Sequence, residues 1–126
     1  MAVYNEGALP LEFIQSHAGP ISFDQVTLTA SQGDLVPGMV LAKVTATGNY
    51  VPYDDDANAG VPGTGVAAGI LCYAAPNSAS TQSVTILARM AEVKKSKLAW
   101  EASNDATEQA NGLADMAPSM IVARAD

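Results

Sequence analysis

The stretch from Pro37 to Tyr73, PGMVLAKVTATGNYVPYDDDANAGVPGTGVAAGILCY, constrains the fold more than any other part of the chain. Pro37-Gly38 suits the two central positions of a type II turn, because proline presets φ and glycine accepts a positive one. Val40, Ala42 and Val44 then alternate with Leu41 and Lys43, the period-2 signature of a strand with two different faces. Gly48-Asn49 fits a two-residue hairpin loop leading into Tyr50-Val51-Pro52-Tyr53. Pro52 has no N–H to give to a ladder, which makes that strand short or an edge. The loop 54–65 holds Asp54-Asp55-Asp56 and the breakers Gly60, Pro62, Gly63 and Gly65. Val66 to Tyr73 then reads as a fully buried strand, too short and too closely bounded by glycine for a helix. No catalytic group is repeated or clustered in this unit. It is scaffold, and it points to a chain whose surface is its function.

The same grammar continues on both sides. Val26 and Leu28 alternate with Thr27 and Thr29, and Ser31-Gln32-Gly33-Asp34 is a turn cluster. Ala74 to Gln82 reads as a polar loop, after which Val84, Ile86 and Ala88 alternate with Thr85, Leu87 and Arg89. Short strands separated by turn clusters predict an all-β core. The period changes only near the C-terminus. Asp105 followed by Glu108 makes a capping box, and Ala106, Ala110, Leu113 and Ala114 fall on one helical face. Gly112 weakens that helix by about 1 kcal/mol relative to alanine. Pro118 stops it, and Ser119 to Ala123 reads as a last strand. The expectation is a mostly β fold of short strands with one short C-terminal helix, in a chain of 126 residues that fits one domain.

Residues 1–20 differ from the rest. Gly7, Pro10, Gly19 and Pro20 break regular structure, yet Leu9, Leu11 and Phe13 alternate with Pro10, Glu12 and Ile14. Two readings fit. One is an extended arm that adds as a strand to another protein's sheet edge. The other is a frayed terminus or an edge strand of its own domain.

Charge narrows the function classes. The net charge is −7, and Lys43 is the single cation before Arg89, so direct binding to a phosphate backbone is not expected. Charged residues make up only 15% against about 25% in ordinary soluble proteins. A surface this neutral suits a chain that hides part of itself against other subunits, or else a monomer with a bland exterior. The lone cysteine, Cys72, sits in the apolar run Gly69 to Tyr73 and reads as a buried, inert thiol. No apolar run is long enough for a membrane span, and no signal peptide is expected, which places synthesis in the cytoplasm.

Candidate chemistry is sparse. In the acidic loop Asp54, Asp56 and Asn58 alternate before Gly60, but no glutamate closes a calcium loop, so a solvated loop is the better reading. His17, the only histidine, lies beside Ser16 in an extended segment where neighbours point to opposite faces. No metal site, cofactor or catalytic residue is expected. Lys94, Lys95 and Lys97, with Arg89, form the one basic cluster, which either meets an acidic patch on a partner or merely offsets the acidic surface. Trp100 anchors either the core or an interface. Two other functions stay open: a small β-domain that binds a ligand or carbohydrate through Tyr50, Tyr53, Tyr73 and Trp100, and an enzyme subunit with carboxylates in a cleft.

Several runs, taken in order, resemble the head decoration proteins of lambda-type tailed phages. They are Pro37-Gly38-Met39-Val40-Leu41, Tyr50-Val51-Pro52-Tyr53-Asp54, Ala67-Ala68-Gly69-Ile70-Leu71, Arg89-Met90-Ala91-Glu92-Val93, Leu98-Ala99-Trp100 with the helix after it, and Met120-Ile121-Val122. The resemblance spans roughly residues 21–124, and it departs from one familiar form at Glu101, where that form has proline. It implies a β-clip-type homotrimer on the outer surface of the expanded virion head. There the trimers sit at local three-fold positions and cement the major capsid protein against the pressure of packaged DNA. Arms in such proteins point to the capsid, which would supply the partner for a capsid-contacting arm over 1–20 before a β-rich decoration domain over 21–126. The resemblance does not extend to the arm's residues, and its candidate contacts, Leu9, Leu11, Phe13 and Ile14, come from the alternation alone.

Overall fold

The computed structural model describes residues 11–54, 62–102 and 104–125. Eight strands are found among them: β1 (Ile14–His17), β2 (Phe23–Leu28), β3 (Val40–Lys43), β4 (Tyr50–Pro52), β5 (Ala67–Leu71), β6 (Gln82–Leu87), β7 (Ala91–Lys94) and β8 (Ile121–Arg124). One α-helix, α1 (Ala106–Met116), precedes β8. The fold is therefore mostly β with one short C-terminal helix, as the turn spacing predicts. Strands β2-β4-β3-β5-β6 close into a barrel, and β1-β7-β8 form a small separate sheet.

The Pro37-Gly38 turn forms as expected. Met39 N–H donates to Val36 O across it at 3.3 Å, and Gly38 has φ +92°. The next reversal differs from the two-residue hairpin. Val44 N–H donates to Asn49 O and Gly48 N–H donates to Val44 O, so the turn spans Thr45 to Gly48. Only then do Lys43 and Tyr50 pair. Strand β4 is short, and it touches β2 through the single register pair Leu28–Tyr50. A proline is tolerated on so thin a seam because few ladder bonds are needed there.

Strand β3 is buried on both faces, and this divides the core in two. Leu41 joins Leu28, Leu71, Val84, Ile86, Val26 and Tyr50. Those residues come from all five barrel strands, so this cluster is the barrel interior. Val40 and Ala42 face outward and meet Ile70, Leu87, Val93, Met116 and Ile121. This second cluster glues the barrel wall to the small sheet and α1. A register shift between Leu41 and Ala42 marks a bulge in the β3–β5 pairing. The extra residue lets Ala67 share the outward face with Ile70 despite their odd spacing.

One expectation is corrected here. The strand expected over 66–73 is buried only in its middle: Val66 is 57% and Tyr73 48% exposed. Of the first twenty residues, those described from Leu11 on pack on the rest of the chain. Strand β1 pairs antiparallel with β7, Phe13 is fully buried in the outer cluster, and Leu11 N–H donates to Cys72 O. An apolar ring of that size stays with whatever buries it, and here its own domain does.

Candidate functional site

Strand directions gather the candidate residues. Strand β1 runs antiparallel to β7, and β8 runs parallel to it. Strand β1 therefore starts, and β8 ends, at the same end of the sheet where β7 finishes at Lys94. A 3-10 turn, Lys95–Lys97, follows immediately. It leads to buried Leu98 and then to Ala99, which pairs with the Pro37-Gly38 turn. Ala99 N–H donates to Gly38 O at 2.8 Å, and Val40 N–H donates to Ala99 O at 3.0 Å. A Cβ on residue 38 would lie 2.6 Å from Lys97 O, so glycine is what lets the turn seat there and fix the path of 97–100.

Trp100 follows and is half-buried, packed against the outer core cluster. Its ring meets Tyr53 edge-on, with centroids 6.0 Å apart at 69°. Tyr53 is fully buried and donates its hydroxyl to Glu108 O at 3.0 Å. Helix α1 crosses directly over the pair, and a Cβ on Gly112 would come within 2.9 Å of both rings. Beside this contact runs a groove lined by Lys95, Trp100, Ala106, Gln109, Ala110 and Leu113. Trp100 is thus both core and surface: one edge holds α1 and the other borders an open groove.

The basic cluster is smaller than its sequence window. Arg89 turns away and grips Asp24 with both terminal nitrogens, at 3.1 and 2.5 Å, while also donating to Ile21 O. Lys94 is half-buried, and Lys95 and Lys97 are exposed. None of these three lysines forms an ion pair among the described residues.

The outer face of the small sheet carries a polar clasp that sequence reading missed. Ser16 donates to Glu92 Oε2 at 2.9 Å, and Arg124 Nε donates to Glu92 Oε1 at 2.5 Å, joining all three strands. The Ser16 hydroxyl first, then Arg124, holds the Glu92 carboxyl below the usual glutamate range. The alternation Ala91-Glu92-Val93-Lys94 was the available signal. Toward the other end of this face lies a shallow groove lined by His17, Met90, Met120 and Val122. Met90 and Met120 are exposed with φ of 53° and 65°. His17 accepts from Gly19 N–H at Nδ1 and meets Phe23 edge-on.

The other candidates fall apart as a set. Leu9 and the aspartates at 55 and 56 lie outside the described residues. Leu11 and Ile14 are half-buried and pack on the core, while Phe13 is inside it. Tyr50 packs on the barrel interior, Tyr53 and Trp100 on the outer core, and Tyr73 lies on the surface, so the four aromatics weighed for ligand binding do not form one cluster. Burial pushes the Cys72 thiol up to about 12, consistent with its place in the core.

A family model described as Bacteriophage lambda head decoration protein D matches residues 3–121. No curated protein matches the chain.

Proposed function

The chain belongs to the bacteriophage lambda head decoration protein D family, and on that premise we propose that it cements the expanded head as a trimer at local three-fold positions. It is a phage head decoration protein and resides on the capsid surface of the virion. The finer reading concerns how it holds on. The observation that carries it is the family match, which begins at residue 3 and so takes in the segment before β1 as well as the domain. Residues 1–10, with Leu9, together with Leu11, supply the arm that lies along the major capsid protein. Phe13 and Ile14 anchor that arm in its own domain and transmit the load to it.

The energetics favour a trimer. Ordering ten residues costs roughly 10–20 kcal/mol, which offsets most of what a short apolar segment gains by burial. One arm is therefore a weak fastener. Three arms on one body make the second and third attachments intramolecular, and avidity rises by orders of magnitude without any new contact. Strand β1 pairs only with β7 among the described residues, so its outer edge is open to strand addition.

The test compares the full chain with a variant lacking residues 1–10 on expanded, undecorated heads. The full chain binds saturably, and the truncated one stays folded but fails to decorate. Equal binding by both would remove the arm from the account.

A further inference from the structure

We infer that the face formed by Lys94, Lys95, Lys97 and Trp100 docks on an acidic patch of a capsid-shell subunit, with one apolar side chain of that subunit seated in the groove beside α1. This rests on the capsid-binding reading above and adds to it the chemistry of the surface that is met.

The first support is the distribution of charge. The chain carries net −7 and only six cations, yet four of them, Lys94, Lys95, Lys97 and Arg124, lie at one end of one small sheet. Arg124 is engaged by Glu92. The three lysines are in no ion pair among the described residues, although Glu101 follows them closely in the chain and Glu12 precedes Phe13, whose carbonyl accepts from Lys94 N–H. An acidic molecule with one cationic end is oriented by the field of an acidic partner, so that end arrives first.

The second support is where the chain comes from. Residues 1–10 join the domain at Leu11, and Lys94 N–H donates to Phe13 O at 2.7 Å, so the arm starts beside the lysines. Ten residues reach at most about 33–36 Å when extended. A face that meets the shell beside the arm's root leaves that whole reach for contact.

The third support is the groove. Trp100, Ala110 and Leu113 make its apolar lining, and Lys95 stands at its rim. A half-buried tryptophan backed by a rigid aromatic partner is the kind of residue that carries binding energy at the centre of an interface. The lysines then act from the polar rim.

The test uses the full chain with Lys95→Gln and Lys97→Gln combined, and Lys43→Glu as a control that changes the net charge by the same amount. Lys43 is exposed at the end of β3 and has no part in the proposed face. The double variant should weaken binding to expanded, undecorated heads by about tenfold or more and flatten its salt dependence, while Lys43→Glu stays within about threefold. Sedimentation of all three proteins should give one oligomeric state. Wild-type-like binding by the double variant, or an equal loss with Lys43→Glu, overturns the inference and leaves the capsid reading standing. A changed oligomeric state in the double variant also overturns it, because a second copy would then occupy the face. Failure of the unaltered chain to decorate would instead remove the capsid reading itself.

Discussion

Gly112 is a residue whose effect changes sign between sequence and structure. In an isolated helix, alanine there is worth about 1 kcal/mol of added stability. In the fold, a Cβ would press on Trp100 and Tyr53, two rings held by core packing and by the Tyr53 hydroxyl bond. Gly112→Ala should therefore lower stability by about 1–3 kcal/mol, read as a fall in the urea midpoint. Glu92 has a different signature. Its carboxyl is held below the ordinary value of 4.5, so the clasp contributes fully above that pH and its contribution is lost as pH falls through the lowered value. Glu92→Gln should lose less stability than the unaltered chain between pH 7 and pH 3, measured by denaturant unfolding at each pH. Cys72, buried and with a raised thiol, should react with a thiol reagent only as fast as the protein opens, and faster in denaturant.

At the scale of elements, local chemistry was legible and remote pairing was not. The capping box of α1 forms as read, with Glu108 N–H donating to Asp105 Oδ1 at 2.9 Å and Asp105 N–H to Glu108 Oε1 at 3.2 Å. The Pro37-Gly38 turn and strands β3 and β4 stand where turn residues and alternation put them, because both signals act within a few residues. Strand β1 shows the limit. Its alternation suits a partner's sheet edge as well as its own, and its partner, β7, lies more than 70 residues away. Nothing local distinguishes the two. The closure of the barrel at Leu28–Tyr50 and the clasp at Glu92, whose partners lie 76 and 32 residues away, are also beyond the reach of local signals. The basic cluster was visible, but the departure of Arg89 to Asp24 was not. Strand β1 also has a direct test. Deleting residues 1–20 removes Phe13 and an edge of the small sheet, so the product should lose its cooperative unfolding transition. Phe13→Ala alone should cost about 3–5 kcal/mol. A variant lacking only residues 1–10 should melt like the full chain.

The whole molecule combines a closed barrel, which leaves no free edge, with a three-stranded sheet that leaves two. On the proposed function, the barrel keeps the shape and the small sheet carries the attachment. The start of β1, the end of β8, Lys94, Lys95, Lys97 and Trp100 all lie at one end of that sheet or beside it, while Met90, Met120 and Val122 stay exposed toward the other. The proposed cementing role fits this division, since a cement must hold its own shape while pulling on its neighbours. The most direct measurement is the number of copies bound per head when expanded, undecorated heads are titrated to saturation with the full chain. The account predicts a sharp plateau at three copies for each local three-fold position. Binding that never saturates, or a plateau unrelated to those positions, would contradict it.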